Sequence, residues 1–217
     1  MFLSRPNRFL VLARIGGRRV AAASRDPGRL DRLLVPGARV LLAAADPTGR
    51  RTSYTLMLVR RGRQWVPLVP ALANRILEAA LQRDGVPGLE GARILRREVV
   101  CGDSRFDFLL SHQGSRLWTE VKSVTVVTRR TALFPDAPTT RGLRQLQQLT
   151  RLGSAAQLVF VVQRAGADAV APFRERDPAF AEALAAAARA GVQLRAYSCL
   201  VTRAGVRLDR PLPVRVD

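Results

Sequence analysis

The chain has 217 residues, 47% of them hydrophobic, and a formal net charge of +19 at pH 7. This apolar content can supply a core, so the composition excludes a disordered chain. No apolar run reaches the roughly 18–20 residues that a membrane-spanning helix needs, and no small-residue cleavage site follows the N-terminal apolar patch. Cys101 and Cys199 stand far apart with no C-x-x-C spacing, as reduced cysteines do. We therefore expect a cytoplasmic protein without a membrane partner.

The first third of the chain predicts short strands separated by tight turns. Gly16-Gly17 and Arg61-Gly62 are hairpin turn signals, and a further turn is expected at 46–49. Five strands in so few residues are typical of a small closed barrel, to which we assign a first domain at 1–68. The apolar segments between the turns place these strands at 8–15, 18–24, 39–45, 54–60 and 64–68.

After Pro70 the hydrophobic period changes and predicts a second domain at 69–217. Thr139 or Thr140 can cap the start of its second helix, whereas Pro211 and Pro213 predict an irregular tail. The order of elements predicts an α/β (α+β) domain with a central mixed sheet. The elements are a helix at 71–83, strands at 92–100, 105–110 and 116–127, a helix at 140–152, a strand at 156–163, a helix at 178–190 and a strand at 192–202.

The positive charge is carried by 36 basic residues, and only one of them, Lys122, is a lysine. A globular protein this basic is attracted to polyanions, of which phosphate backbones are the commonest. A genome biased toward arginine codons is the alternative explanation of the excess. That bias did not act at position 122, where the ammonium offers a compact point charge on a flexible stem. Lys122 is therefore a candidate functional residue.

One hairpin of the second domain determines which residues face each other around Lys122. With the turn midpoint between Gln113 and Gly114, Asp107 lies directly opposite Glu120, with Cβ atoms ~5 Å apart. Glu120 and Lys122 share that face because strand side chains alternate. Facing carboxylates repel each other unless a divalent cation such as Mg²⁺ or Mn²⁺ joins them, and Lys122 could then orient a water against a phosphodiester. The alternative is a solvated strand face on which the lysine balances two acids.

Asp107, followed by Glu120-x-Lys122, resembles the PD-(D/E)XK nuclease motif, and the predicted order of helix, three strands, helix and strand resembles the core of that fold. The resemblance implies a restriction-endonuclease-like domain in which Asp107, Glu120 and Lys122 are catalytic. In this fold the first helix often supplies another acid, so Glu78 becomes a candidate third metal ligand beside Asp107 and Glu120. The alternative for Glu78 is an exposed helix residue.

A closer resemblance extends along nearly the whole chain. It is carried by GDSRFDFLL at 102–110, EVKSVT at 120–125, FPDAPTTRG at 134–142 and FVVQR at 160–164, with shorter matches at 36–37, 54–56 and 177–178. These segments resemble the sugar fermentation stimulation (SfsA) family. The resemblance implies an N-terminal OB-like β-barrel, a nuclease-like C-terminal domain, non-specific DNA binding and a regulatory link to sugar, especially maltose, metabolism.

The sequence departs from the family pattern at two places. The family has Asn-Thr-Gly-Arg where this chain has Asp-Pro-Gly-Arg at 26–29, and it tends to have a His and then a Glu where this chain has Gln145 and Gln148. The two glutamines cannot act as an acid, a base or a good metal ligand. A non-catalytic DNA-binding regulator therefore stands beside the Mg²⁺-dependent nuclease as a hypothesis.

Four arginines are candidates for nucleic-acid contact. Arg8 and Arg29 fall in the predicted barrel, Arg105 lies near Asp107, and Arg141 begins a helix whose N-terminus also attracts phosphate. Aromatic residues are only 6% of the chain, so we expect phosphate contacts to dominate and binding to be salt-sensitive and largely sequence-non-specific. A basic RNA- or ribosome-associated protein without a metal site is a third hypothesis. Nothing in the sequence indicates a homo-oligomer.

Overall fold

A computed structural model describes residues 1–45, 52–202 and 205–216. The chain forms two compact units, one made of Met1–Pro70 and Val201–Gly205, the other of Ala71–Leu200 and Val206–Asp217. The turn predicted at 46–49 lies outside the described residues. Within those residues, no helix is both long enough and apolar enough to cross a membrane.

The first unit is a β-sheet, as the sequence predicts. Gly16 and Gly17 both have positive φ, which is the conformation that a tight hairpin turn between two twisted strands requires. The strands occur in the spatial order β1-β2-β3-β5-β4, and β6 also pairs with β5. They are β1 (Phe2–Asn7), β2 (Leu10–Ile15), β3 (Arg18–Ala23), β4 (Val40–Ala44), β5 (Tyr54–Arg61) and β6 (Gln64–Pro67).

The first strand, β1, is an addition to the five strands that the sequence predicts. Its sequence, FLSRPN, has no sustained apolar pattern. The backbone of Phe2 donates to the Ala38 carbonyl at 2.7 Å and accepts from the Gly37 N–H at 2.9 Å. These bonds join β1 to the residues that lead into β4, at the other end of the sheet order, and curl the sheet toward closure. The core inside includes Val11, Leu30, Leu56, Val59, Val66 and Leu68.

The second unit is built around a mixed sheet in the order β15-β14-β12-β9-β8-β7. A smaller sheet has the order β10-β11-β13. The elements are α1 (Leu72–Leu81), β7 (Arg93–Cys101), β8 (Ser104–His112), β9 (Ser115–Val124), β10 (Val126–Thr128), β11 (Thr131–Phe134), α2 (Thr140–Leu152), β12 (Ala156–Val162), β13 (Ala169–Pro172), α3 (Pro178–Arg189), β14 (Gln193–Val201) and β15 (Val206–Leu212).

The strand directions in the large sheet agree with the predicted mixed sheet. β9, β12 and β14 are parallel, while β7, β8 and β9 run antiparallel through two hairpins. Every residue of β12 is buried, as expected of a strand at the centre of a covered sheet. The irregular tail predicted from Pro211 and Pro213 starts later than expected, because β15 runs through Pro211 to Leu212. Proline is tolerated there because β15 is an edge strand and needs no ladder donor on its outer side.

The start of α2 is fixed by its own cap, Thr139, and by Asp177, the cap residue of α3. Thr139 Oγ1 accepts from the Gly142 N–H at 3.0 Å, as predicted for this cap. The buried carboxylate of Asp177 caps α3 by accepting from the Phe180 N–H at 3.0 Å, and it also accepts from the Thr139 N–H at 2.9 Å. One carboxylate therefore joins the first turns of both helices. This arrangement holds the N-terminus of α2, where Arg141 lies, in a defined place.

Candidate functional site

The hairpin of β8 and β9 has the register that the sequence predicts. Gln113 and Gly114 both have positive φ and form the turn. The ladder then runs from the pair His112 and Ser115 to the pair Phe108 and Thr119.

The predicted direct pairing of Asp107 with Glu120 lies one step beyond the paired residues. The ladder stops there, and the Val121 N–H donates instead to Asp107 Oδ2 at 2.8 Å. Asp107 Oδ1 accepts a second hydrogen bond from Asn74 Nδ2 on α1 at 2.6 Å. Burial raises the pKa of Asp107, and the hydrogen bonds from Val121 and Asn74 oppose that rise. The carboxylate is therefore held on both oxygens.

Glu120 is the most deeply buried acid of the site, with 4% of its surface exposed. Its Oε1 accepts from Lys122 Nζ at 2.7 Å, whereas its buried Oε2 has no hydrogen-bond partner among the described residues. Burial raises the pKa of Glu120 to about 7 despite the opposing charge of Lys122, and the charge of Asp107 adds to the rise. A buried oxygen without a donor is an expensive feature in a purely structural strand.

Lys122 is held between two side chains. Its ammonium donates to Glu120 Oε1 and, at 2.8 Å, to Gln145 Oε1 on α2. Gln145 is itself 4% exposed and donates through Nε2 to the Arg105 carbonyl at 3.2 Å. The structure thus shows a contact of Gln145 with Lys122 that the sequence did not predict. From the sequence, this position counted only as the loss of the histidine that the family tends to have. The available signal was its place on the buried face of α2, with Leu146 and Leu149.

Gln148 and Glu78 do not join this group. Gln148 lies near Cys101, with its Nε2 3.8 Å from Sγ. Glu78 forms an ion pair with Arg97 on β7 and accepts from Gln82 at 3.4 Å. The first helix meets Asp107 through Asn74, one turn before Glu78. No group of three His, Cys, Asp or Glu side chains suited to hold a metal occurs among the described residues.

Two of the predicted arginines belong to the surroundings of this group. Arg141 is exposed in the first turn of α2, and its positive charge lowers the pKa of Glu120. Arg105 has more than half of its side chain exposed and pairs with Glu98 at 2.8 Å. The backbone carbonyl of Arg105 also accepts from Gln145. The site therefore has exposed positive charge around buried negative charge.

The other two predicted arginines, Arg8 and Arg29, meet in the first unit through Arg5. The guanidinium of Arg5 donates to the carbonyls of Arg8, Asp26, Gly28 and Arg29, each at 2.7 Å. This contact fixes the backbone of both segments while the Arg8 and Arg29 residues stay exposed.

An exposed aromatic ring lies next to Arg8. Phe9, in the turn between β1 and β2, is 64% exposed. Single exposed apolar residues are common on protein surfaces, so the exposure of Phe9 gains its interest only from its place beside Arg8. The sequence alone did not identify Phe9 as a candidate for nucleic-acid contact.

The two units define the class of protein: an OB domain followed by a restriction-endonuclease-like domain of mixed α/β structure. Residues 3–68 match the family model "SfsA N-terminal OB domain", and residues 71–205 match "Sugar fermentation stimulation protein RE domain". The chain belongs to the SfsA family.

Relatives and a solved structure agree with this assignment over nearly the whole chain. The sugar fermentation stimulation protein homologue of Moorella thermoacetica is 44% identical, covering 99% of this chain and 95% of the relative. The homologue of Chloroflexus aurantiacus is 43% identical, covering 98% and 83%. The structure of Pyrococcus furiosus SfsA in complex with Ca²⁺ superposes with a TM-score of 0.90 at 30% identity, covering 99% of this chain and 94% of that one.

Proposed function

We propose that this protein binds DNA with little sequence preference and hydrolyses phosphodiester bonds at a divalent-metal-dependent site formed by Asp107, Glu120 and Lys122. The observation that carries the proposal is Glu120 Oε2, a buried carboxylate oxygen without a donor among the described residues. It lies on a strand with Lys122, the only lysine of a strongly basic chain. A structural ion pair would need neither the burial nor the unmatched oxygen.

The donor set fits a hard cation. Asp107 and Glu120 would hold Mg²⁺ or Mn²⁺, because these ions prefer oxygen ligands, and Mg²⁺ is commonly bound through only one or two carboxylates. A related protein, that of Pyrococcus furiosus, was solved with Ca²⁺, another cation that takes oxygen ligands. When bound, such an ion would neutralise phosphate charge and lower the pKa of a coordinated water.

The protein side chains have separate tasks in this proposal. Asn74 and the Val121 N–H fix the orientation of Asp107. Gln145 holds the Lys122 ammonium beside Glu120, where it can contact a phosphate oxygen or orient the attacking water. Arg141, exposed at the start of α2, adds positive charge that attracts the phosphate.

In the first unit, Arg8 and Arg29 are proposed to contact the phosphate backbone. Arg5 positions both of them through their carbonyls. Phe9, exposed beside Arg8, offers a face on which an unpaired base can stack. Substituting Phe9 with alanine should therefore weaken binding of single-stranded DNA more than binding of a duplex.

A non-catalytic DNA-binding regulator, linked to sugar metabolism, is the second candidate. It is favoured by the diversion of Glu78 to Arg97, which leaves two acids at the site, and by the direct ion pair between Lys122 and Glu120. In that case the same residues stabilise the nuclease-like fold without cleaving a substrate.

Cleavage of linear, nicked and single-stranded DNA with Mg²⁺ or Mn²⁺ separates the two candidates. The wild type is compared with Glu120→Gln and Lys122→Ala, and with the control Glu175→Gln, which alters an exposed acid of the same unit. The nuclease proposal expects cleavage by the wild type and the control, with loss in both site variants and retained DNA binding. Binding without cleavage in either metal would favour the regulator, and a preference for structured RNA would favour an RNA-associated protein.

A further inference from the structure

A second feature of the nuclease-like unit is a basic cleft between the end of α1 and the edge strand β7. It has a volume of about 1030 Å³ and is lined by residues 81–84 and 91–97. Four of these are arginines, all exposed, and one is an acid. We call this the β7 cleft and define it by Arg83, Arg93, Arg96 and Arg97.

The shape of β7 gathers arginines that a regular strand would separate. β7 has a bulge between Ile94 and Arg96. Arg93 lies opposite Ser111 of β8, and Arg96 lies opposite Leu109. Because residues two apart on β8 face the same side, Arg93 and Arg96 also share one face, although they are three positions apart in sequence. The bulge therefore places Arg93 and Arg96 on one face of the edge strand, whereas Arg97, opposite Phe108, points to the other face, where it meets Glu78 of α1.

The charge in the β7 cleft is largely unneutralised. Among the ion pairs of the described residues, none joins a carboxylate to Arg83, Arg93 or Arg96. The one acid that lines the cleft, Asp84, uses its Oδ1 to accept from the Gly91 N–H at 2.6 Å. Exposed guanidinium groups in a concave surface are suited to phosphate, because their planar forks match its oxygens.

Helix α1 connects the β7 cleft with the candidate active site. Asn74, in its first turn, bonds to Asp107. Glu78, one turn later, pairs with Arg97 of the cleft. Leu81, the last residue of α1, already lines the cleft. At 1.5 Å per residue, roughly 10 Å of helix separate Asn74 from Leu81.

We propose that the β7 cleft binds the phosphate backbone of the DNA whose scissile bond lies at Asp107 and Glu120. The inference rests on the proposed DNA-binding function and adds the surface along which the strand leaves the site. The Arg97–Glu78 ion pair anchors the edge strand to α1, while Arg83, Arg93 and Arg96 remain available to phosphates.

The test measures the affinity for a fluorescent DNA duplex over a series of salt concentrations. The first variant carries Arg93→Glu and Arg96→Glu. Its matched control carries Arg207→Glu and Arg215→Glu, which make the same change in net charge at exposed arginines. Arg207 lies on β15, at the opposite edge of the same sheet. We expect the cleft variant to bind at least about tenfold more weakly than the control at ~0.1 M salt.

A milder variant keeps the test independent of folding. Arg93→Gln with Arg96→Gln should retain the thermal midpoint of the wild type and reduce the slope of log K against log salt by about two, one for each lost phosphate contact.

Equal affinities and equal slopes in the cleft variants and the control would overturn the inference. A cleft variant that cleaves DNA as fast as the control and binds it as tightly would also overturn the inference, but the proposed nuclease activity would stand. A wild type that binds DNA through the cleft without cleaving it would support the inference and remove only the catalytic part of the proposed function. Failure of the wild type to bind DNA would overturn both.

Discussion

Two ionic clusters of the nuclease-like unit contain similar residues in different surroundings. In the first, Glu120 is 4% exposed, one of its oxygens has no donor among the described residues, and its pKa is raised. In the second, the Asp168 side chain is 47% exposed, and its two oxygens accept from Arg130 and Arg210. Hydrogen bonds and charge lower the pKa of Asp168.

The difference separates the proposed site from a structural surface cluster. An exposed, fully paired carboxylate needs nothing further, and such surface pairs contribute little to stability. A buried carboxylate oxygen without a hydrogen-bond donor is unfavourable unless a ligand binds to it. Buried acids with raised pKa values therefore indicate function more strongly than the number of charges does.

The largest effect is expected for Glu120→Gln. The substitution keeps the size of the side chain but removes the charge that would hold the cation, so metal-dependent cleavage should fall by roughly 100-fold or more. The measurement is single-turnover cleavage of DNA with Mg²⁺. Asp168→Asn, the same change in the exposed cluster, should keep wild-type cleavage. Equal losses in the two variants would show that burial does not distinguish the clusters.

A smaller loss of rate is expected for Gln145→Leu. The leucine fills the space of the glutamine but cannot accept from Lys122, so the ammonium loses one of its two partners. We expect roughly tenfold slower cleavage with unchanged DNA affinity, because the residue positions Lys122 and contacts no substrate. Gln145→Glu restores an acceptor and should recover part of the rate. An unaltered rate in the leucine variant would remove Gln145 from the site.

The next effect concerns stability in the presence of metal. If a cation binds to the Glu120 carboxylate, Mn²⁺ or Ca²⁺ at about 100 times its Kd should stabilise the folded protein by about 2.7 kcal/mol. This free energy corresponds to a rise in Tm of roughly 5 °C or more. Thermal unfolding with and without metal measures the shift. Glu120→Gln should lose the rise, whereas Asp168→Asn should retain it. A rise that is the same in both variants would place the metal elsewhere.

The sequence predicts the strands of the site better than its contacts. Gln113-Gly114 sets the register of the hairpin, and Lys122 stands out as the only lysine of the chain and so indicates the candidate site. Helical periodicity, in contrast, does not tell which residue of α1 reaches Asp107. Asn74 and Glu78 are four residues apart on similar faces, and the ion pair with Arg97 draws Glu78 away. Such a choice depends on packing between distant elements.

Other features escaped prediction because they depend on the backbone rather than on side-chain pattern. β1 pairs through the backbone of Phe2, and FLSRPN has no alternation to reveal it. β15 contains Pro211, which usually argues against a strand but is allowed at an edge. The part played by Gln145 depends on burial beside Lys122, which a single sequence does not report.

The smallest effect is expected in the exposed cluster itself. The pKa of Asp168 is lowered in the folded protein from its ordinary value of 3.8, with the hydrogen bond from Arg130 as the main cause. A depressed carboxyl pKa contributes stability above its unfolded value, and this contribution is lost as the pH falls through the folded value. Asp168→Asn should therefore be slightly less stable than the wild type at pH 7, and the difference should vanish at a pH well below 3.8. Chemical denaturation of both proteins across this range measures it. A gap that persists in acid would mean that Asp168 acts through packing or neutral hydrogen bonds, and the contrast with Glu120 would then rest on burial alone.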